Sequence, residues 1–271
     1  MTLILCSECG VEISSAAGAC PRCGHPMSHA EGLAPPSATY SQPGKPLPRR
    51  WLSFGLSGTV AALWWLSTIS YGISALMFAT AWSDWSAYTN GDGTFAALWR
   101  SDPRALDSAA WASLGTWIAG VLFIIWLYKA YRSAESRGAT GRRWGPGWAI
   151  GGWFIPLANL VIPKMVVNET DRMSNPEAGA PPTEDRWKRL PRIRSSDAWW
   201  LLLLVGTAAY WTGWGFYYST PDFDTTATGT GYALMGIGQA VLAVAAVLTG
   251  VVAIAIGKRL RSPHPNEPTP H

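Results

Sequence analysis

Five runs of this chain contain no Asp, Glu, Lys or Arg, and this feature constrains the fold more than any other. Together they make up almost half of the 271 residues: 51–83, 108–128, 144–163, 198–221 and 225–257. Charged residues are only 14% of the chain, whereas soluble globular proteins have about 25%. A soluble enzyme needs charges spread over its surface, so the sequence excludes an ordinary cytosolic enzyme and predicts an integral membrane protein.

Four of these runs predict transmembrane helices, at about 52–78, 108–129, 198–218 and 232–257. Each is long enough to cross the hydrocarbon core, which takes about 20 residues. Backbone groups in lipid must bond within their own segment, so helix is the expected conformation. The predicted fold class is an all-α integral membrane protein, with a four-helix transmembrane bundle, a re-entrant or interfacial broken helical segment, and a small N-terminal zinc ribbon.

The broken segment is 144–163, which is apolar but rich in Pro and Gly. If it does not cross, 19 of the 21 Lys and Arg residues fall on one side of the membrane. If it crosses, the seven basic residues from Lys164 to Arg194 move to the other side. Because basic residues collect on the cytoplasmic side, the first topology is preferred. We therefore expect a multi-pass protein of the cell membrane with both termini in the cytoplasm.

The N-terminus carries two Cys-x-x-Cys-Gly units, which contain all four cysteines of the chain: Cys6, Cys9, Cys20 and Cys23. Each pair can place two thiolates on one side of a metal, and the glycine that follows permits a tight turn. Four thiolates form a closed tetrahedral site of the kind that binds structural Zn²⁺. The sequence predicts a short zinc ribbon with zinc as its structural cofactor.

A disulfide pair and a redox motif are the alternatives to zinc. A disulfide needs an oxidising compartment, whereas this end is predicted to be cytosolic. A redox Cys-x-x-Cys belongs to a larger α/β domain, which this stretch is too short to form. His25 and His29 are expected to be solvated, because the thiolates already complete the site. Three glutamates and one arginine in residues 1–31 disfavour nucleic acid as a partner.

The predicted domain organisation has four parts. The zinc ribbon occupies 1–29, and a flexible Pro-rich linker follows at 30–50, where Pro, Ser, Ala and Gly show no periodicity. The four-span membrane domain occupies 51–260, and 261–271 is a disordered tail. The ribbon is therefore expected to move independently while staying near the membrane.

The last predicted span contains a stripe of small residues seven positions apart: Gly236, Ala243, Gly250 and Gly257. Residues at this spacing lie on one face of a helix. Small side chains let helix backbones approach closely in lipid. We expect this stripe to be a helix-packing seam.

The broken segment carries a motif of aromatic residues, prolines and one asparagine: Trp144, Pro146, Gly147, Trp148, Trp153, Phe154, Pro156, Asn159 and Pro163. With the preceding helix end at Trp126 and the glycine turn at Gly138, it resembles a bacterial membrane family, domain of unknown function 4328, over about 50–260. The resemblance implies a multi-span membrane domain, often preceded by a metal ribbon. It implies no activity and transfers no catalytic residues.

Two functions fit these features. The preferred one is a non-enzymatic, membrane-anchored zinc-ribbon protein that binds membrane lipid and, through the ribbon, a cytosolic or membrane protein partner for interaction or regulation. The alternative is a small-solute or lipid-handling membrane protein that uses 144–163 as its site. No catalytic residues are predicted, because the sequence places no nucleophile–base pair or metal-ligand set within the spans.

Overall fold

The computed structural model describes residues 3–5, 11–14, 54–179, 181–218 and 225–262. The chain divides into two compact units, Met1–Gly44 and Lys45–His271. In the first unit, strand β1 (Leu3–Leu5) pairs antiparallel with strand β2 (Glu12–Ser14), with Ile4 opposite Ile13. The first cysteine pair falls between these strands in sequence. All four cysteines, and hence the predicted zinc site, lie outside the described residues.

The second unit is built on four long helices. They are α1 (Phe54–Thr89), α2 (Phe95–Glu135), α6 (Arg194–Tyr218) and α7 (Thr225–Arg261). The described part of each predicted span lies within one of these helices, and every helix extends beyond its span. α1 continues through Asp84, and α2 begins upstream of Asp102 and Pro103. Charged residues end a run of high hydropathy without ending a helix, because the backbone ladder does not depend on side-chain polarity.

Three of the described helices are long and apolar enough to cross a membrane: Gly55–Thr89, Phe95–Glu135 and Thr226–Arg261. A helix of this length reaches well beyond the roughly 30 Å of a hydrocarbon core. These three helices identify a membrane protein. α6 has 25 residues but is not one of the three, so its crossing, and with it the four-span bundle, stays a prediction.

α7 packs against both α1 and α6, and α1 also packs on α2. Three of the four residues of the predicted stripe lie on the face of α7 that packs against α1, and each of the three is close to an α1 residue. A Cβ atom at Gly236 would lie 3.2 Å from the Cβ of Phe78. A Cβ at Gly250 or Gly257 would meet the Trp65 ring nitrogen or the Ser57 hydroxyl at less than van der Waals distance.

A second glycine seam, which the sequence analysis did not identify, joins α7 to α6. A Cβ at Gly213 would lie 2.8 Å from the carbonyl oxygen of Gly231. A Cβ at Gly238 would lie 2.7 Å from the backbone nitrogen of Tyr210 and 2.9 Å from the Gly206 carbonyl oxygen. Backbone therefore touches backbone along this seam, as small residues permit in membrane helices.

The chain between α2 and α6 contains only short helices. They are α3 (Trp148–Gly151), a 3-10 turn at Ala158–Leu160, α4 (Ile162–Ser174), a 3-10 turn at Pro176–Ala178, and α5 (Glu184–Trp187). Even α4, with 13 residues, is only about 20 Å long. Residues 144–163 thus form no continuous helix of spanning length.

The short helices gather where α1 begins, α2 ends, α6 begins and α7 ends, which we call the basic end. The Arg137 guanidinium donates a 2.5 Å hydrogen bond to the Leu260 carbonyl there, and Trp126 Nε1 donates to Ser57 Oγ at 2.9 Å. These bonds tie the end of α2 to the end of α7 and the start of α1.

At the opposite end, one carboxylate joins three helices. Asp102 on α2 accepts hydrogen bonds from the hydroxyls of Tyr217 on α6, at 3.0 Å, and Tyr232 on α7, at 2.7 Å. Tyr232 also packs edge-on against Trp85 of α1. Asp102 therefore links α2 to α6 and α7.

Candidate functional site at the basic end

Helix α4 brings the broken segment together with two buried carboxyl side chains and one half-buried lysine. α4 is amphipathic and starts with Pro163 in its first turn, where a missing N–H carries no penalty. Its apolar face buries Val166, Val167 and Met173. Lys164 and Asp171 lie along one edge of this face and Glu169 along the other, and all three side chains point into the protein rather than into solvent. These polar side chains and the motif residues beside them form the candidate site.

Glu169 fixes the start of the broken segment to the end of α2. Its side chain is buried, and it accepts a 2.7 Å hydrogen bond from the Tyr131 hydroxyl. It also accepts from the backbone N–H groups of Arg143, at 3.2 Å, and Trp144, at 3.3 Å. The Tyr131 hydroxyl is also in contact with the Trp144 carbonyl oxygen. One carboxyl group thus meets the polar backbone of the turn that leads into the motif.

Asp171 joins α4 to the end of α7 and to the non-helical segment that precedes α6. Its side chain is only 1% exposed. One carboxylate oxygen pairs with the Arg259 guanidinium, and the other accepts a 3.0 Å bond from the backbone N–H of Ile193. Burial raises the pKa of the Asp171 carboxyl, and the nearby Arg259 charge partly opposes that rise.

Lys164 joins the first turn of α4 to the first turn of α6. Its ammonium donates to Asn168 Oδ1 at 3.0 Å and to Ser196 Oγ at 2.6 Å, and it lies 2.9 Å from an Asp197 carboxylate oxygen. Burial lowers the pKa of the Lys164 ammonium, whereas its bond to Asp197 holds the pKa of that carboxyl below its usual value. The bond therefore favours the ionised form of Asp197, whereas burial opposes the charged form of Lys164.

The motif residues occupy both sides of this polar cluster. Trp144 is half-buried and packs against Trp148, with ring centroids 5.4 Å apart. Trp153 packs edge-on against both Phe123 of α2 and Trp200 of α6, at 6.0 Å from each. These contacts hold the segment against two of the long helices.

The remaining motif residues differ in exposure. Pro163 is buried at the start of α4, Pro146 is half-buried, and Pro156 and Asn159 are exposed. Among the described residues, the exposed Asn159 side chain has no hydrogen-bond partner. The backbone of this stretch is bonded within itself and to Trp200.

Residues 154–161 form a protruding stretch that we call the apolar loop. Its five large apolar side chains are exposed: Phe154, Ile155, Leu157, Leu160 and Val161. Leu157 is the most exposed, at 81%. It has a φ of 64° and ψ of −41°, and the Ala158 N–H bonds the Pro156 carbonyl at 2.7 Å across it. This is a γ-turn of the strained type, a conformation that costs about 1–3 kcal/mol for a residue with a side chain.

The chemistry of the site follows from these partners. Lys164, Glu169 and Asp171 are each bonded to groups of the protein itself, and together they cross-link α2, α4, α6 and α7. The described residues contain no group of three or more His, Cys, Asp and Glu side chains arranged to hold a metal ion. The polar cluster links α4 to α2, α6 and α7 and to the turn at Arg143 and Trp144.

The sequence analysis identified the motif residues but not the three inward-facing charges, Lys164, Glu169 and Asp171. The signal was present in part, since Pro163 followed by apolar residues at 166, 167 and 173 matches the start and one face of an amphipathic helix. The sequence does not show which charges of that helix turn inward. Their partners, such as Arg259 and the Ile193 N–H, come from distant parts of the chain.

Comparison with protein families gives one match, to the family described as Domain of unknown function (DUF4328), over residues 89–260. The matched range covers well over half of the chain and includes the broken segment, α4 and α6. No curated protein and no solved structure is matched.

Proposed function

The chain belongs to the family described as Domain of unknown function (DUF4328), and since that description assigns no activity, we propose a function from the chain's own residues. The protein is a membrane-held interaction or regulatory protein without enzymatic activity. Its helical unit anchors it, and its N-terminal zinc ribbon is the element that contacts a partner protein in the cytosol or at the membrane.

The bonding of the Lys164, Glu169 and Asp171 side chains of α4 to other groups of the protein carries this proposal. Glu169 accepts from one side chain and two backbone groups, Asp171 is paired with Arg259, and Lys164 is bonded by three acceptors. A general acid or base must reach a substrate proton. These groups face other parts of the chain, which suits a rigid support.

The cysteine module supplies the contact element. The doubled Cys-x-x-Cys-Gly offers four thiolates, a donor set that fits closed structural Zn²⁺ held by Cys6, Cys9, Cys20 and Cys23. The β1–β2 pair, which flanks the first Cys-x-x-Cys in sequence, is the kind of hairpin that such a metal site needs. When bound, the metal supplies folding energy to a module too small for a core of its own.

The linker sets how far the zinc ribbon can lie from the membrane domain. Residues 30–50 are rich in Pro, Ser and Gly, and a chain of this length spans on the order of 25 Å. A module held that close to the bilayer meets other membrane-bound proteins at a high effective concentration. The proposal places the basic end, and with it the ribbon, on the cytoplasmic side because basic residues are retained there.

Crosslinking in native membranes tests this function on the full chain. The proposal predicts a defined set of crosslinked partners for the wild type and loss of that set in the Cys20→Ser/Cys23→Ser variant. His25→Ala/His29→Ala is the matched control, because it changes the same module but leaves the thiolates, and its partners should persist. An unchanged partner set in the cysteine variant would overturn the proposal.

A second function is favoured by one observation, the exposure of the apolar loop. A protein that handles lipid or a small solute at 144–163 would present such a surface next to the lipid-facing helices. In that case, substitutions within 154–161 would alter lipid or solute binding, whereas the cysteine variant would have no effect on it.

A further inference from the structure

We infer that the apolar loop, residues 154–161, lies in the headgroup–acyl boundary of the leaflet at the basic end, as an interfacial wedge and not as a re-entrant segment. This inference rests on the membrane helices and the loop alone. It is independent of the zinc ribbon, so either proposal can fail without the other.

The surface of the loop is apolar and uncovered. Leu157 and Phe154 are 81% and 70% exposed. Such a cluster of exposed side chains on one protrusion indicates contact with something other than water. Exposed apolar side chains continue at the start of α6, at Leu201 and Val205, so the loop adjoins a surface that already faces lipid in the proposed topology.

The contacts of the apolar loop with α2 and α6 indicate how deep it lies in the membrane. Trp200 Nε1 donates a 3.0 Å hydrogen bond to the Leu160 carbonyl, and Trp200 is only the third residue of the charge-free run that begins at 198. Trp153, just before the loop, packs on Phe123, which lies six residues before Lys129, or about 9 Å along α2. An amphipathic segment at an interface is buried to about 5–10 Å.

The backbone of the loop suits a medium that contains little water. The Asn159 N–H bonds the Ile155 carbonyl at 2.9 Å, and the N–H groups of Leu160 and Val161 bond the carbonyls of Leu157 and Ala158. With the Trp200 bond to Leu160, most polar groups of the loop tip have partners within the protein. Irregular backbone tolerates apolar surroundings only under that condition.

The strained turn points to the same surroundings. Glycine adopts a positive φ without strain, yet position 157 holds leucine, whose side chain is directed away from the protein. Nothing in the described protein packs around most of that side chain, so the protein itself gains little from it. Insertion of the leucine into acyl chains would offset the strain, because burial of apolar area is favourable.

Exposed arginines near the apolar loop favour lipid as the partner that covers it. Arg143, Arg192 and Arg194 are exposed. Arg143 directly precedes the broken segment, and Arg192 pairs with Asp197, which also binds Lys164 at the other end of the segment. Arginines above an inserted apolar tip match the order of a leaflet, in which anionic headgroups lie outside the acyl chains. The pattern is typical of segments that lie in a membrane interface.

Depth-dependent quenching tests the inference. A fluorescent amino acid is incorporated at position 157 of the otherwise unchanged full chain, which is reconstituted in phosphatidylethanolamine–phosphatidylglycerol vesicles. The vesicles carry nitroxide quenchers at the headgroup, at the top of the acyl chain or near the bilayer centre. Position 205 serves as the lipid-facing control, and position 185, exposed in α5, serves as the water-facing control.

The expected result is strongest quenching of position 157 by the nitroxide at the top of the acyl chain, with deeper quenching at position 205 and little at position 185. Strongest quenching of position 157 near the bilayer centre would show a re-entrant segment. Absence of quenching by all three probes would show a loop in water or under another protein. Either result would overturn the inference.

Hydrogen exchange of the loop amides supplies a second, independent readout. Leu157→Asp places a carboxylate in the proposed acyl boundary, and we expect exchange of residues 154–161 in the same vesicles to accelerate at least about tenfold. Thr183→Asp adds the same charge at an exposed position of the same end and should leave loop exchange unchanged. Equal exchange in wild type and Leu157→Asp would contradict an inserted loop.

Discussion

Asp171 and Arg259 form a charge pair whose two members differ in their access to water. The Asp171 side chain is 1% exposed, whereas that of Arg259 is 27% exposed. A lone guanidinium at that position can still be hydrated, but a lone carboxylate inside the protein stays desolvated. Loss of one partner of a buried pair is costly because it leaves the other charge uncompensated. Replacing Arg259 alone and replacing Asp171 alone should therefore lower the free energy of unfolding by different amounts.

We expect Arg259→Met to lower the free energy of unfolding by about 3 kcal/mol near neutral pH, and Asp171→Asn by only about 1–2 kcal/mol. The asparagine oxygen can still accept the hydrogen bond from Ile193. Denaturant titration in mixed micelles measures both values. A larger loss for Asp171→Asn than for Arg259→Met would contradict the assigned burial.

The Arg259→Met variant should also respond to pH in a defined direction. Burial raises the pKa of Asp171 above its usual value, and removal of Arg259 removes the charge that opposes the rise. Below the usual pKa the carboxyl is protonated in both the folded and the unfolded protein. As pH increases toward the raised pKa, the unfolded chain ionises first and stability falls. The variant should therefore lie closer to wild type at about pH 4 than at about pH 7.

These buried charges also mark the limit of what the sequence predicts at the residue scale. Hydropathy and charge counting treat Lys164, Glu169 and Asp171 as ordinary polar residues between two apolar runs. Their burial depends on the Tyr131 hydroxyl, on Arg259 and on backbone groups near residues 143 and 193, none of which is close in sequence to all of them. A single sequence contains no local signal for such long-range pairing.

The glycine seams are the main packing feature at the scale of the helices. Gly213 of α6 lies against the backbone of Gly231, whereas Gly215 of the same helix has no atom within 4 Å of a Cβ placed on it. The two glycines have the same intrinsic cost in a helix and differ only in what they face.

We expect Gly213→Ala to destabilise the helical unit by about 1–3 kcal/mol, because the added methyl group separates two backbones in contact. Gly215→Ala should be neutral or slightly stabilising, since alanine is the better helix former. Thermal unfolding in detergent compares the pair. Equal melting temperatures would show that α6 and α7 do not pack at this seam.

A second pair of variants tests the seam between α7 and α1. Gly250→Leu puts a bulky side chain where the Trp65 ring lies, and Trp65 donates a 3.3 Å hydrogen bond to the Val247 carbonyl. Val251→Leu enlarges an exposed side chain next to it. We expect a lower melting temperature in detergent for Gly250→Leu than for Val251→Leu, and equal values would argue against close packing of α7 on α1.

The elements show which sequence rules were sufficient. Long charge-free runs located the long helices, because helices in lipid require apolar side chains along their length. The same rules made the predicted spans shorter than the helices, since Asp84 and Asp102 lie within helices, Asp102 being bonded by Tyr217 and Tyr232. The seven-residue spacing drew attention to the α7 stripe, but the same spacing at Gly206 and Gly213 was overlooked.

At the scale of the whole molecule, the distribution of basic residues predicts the orientation in the membrane. The turn that joins α1 to α2 contains Asp92, which is exposed, and α5 at the opposite end contains Asp185, also exposed. If the basic end is cytoplasmic, these two positions lie on opposite sides of the membrane. They offer a direct comparison of side-chain accessibility.

We expect Asp92→Cys to react with an impermeant thiol reagent in intact cells and Asp185→Cys to resist it until the membrane is permeabilised. Peptide mass spectrometry distinguishes the introduced cysteine from the four native ones. Labelling of Asp185→Cys in intact cells would reverse the proposed orientation and move the cysteine module to the outside.

Metal analysis of the purified 271-residue chain tests most directly whether this membrane-held protein carries a zinc ribbon. Under reducing conditions, elemental analysis should find one zinc ion per wild-type chain, held by Cys6, Cys9, Cys20 and Cys23. The His25→Ala/His29→Ala control should retain the zinc, and the Cys20→Ser/Cys23→Ser variant should lose it. Wild-type protein without zinc, or a cysteine variant with undiminished zinc, would contradict the account.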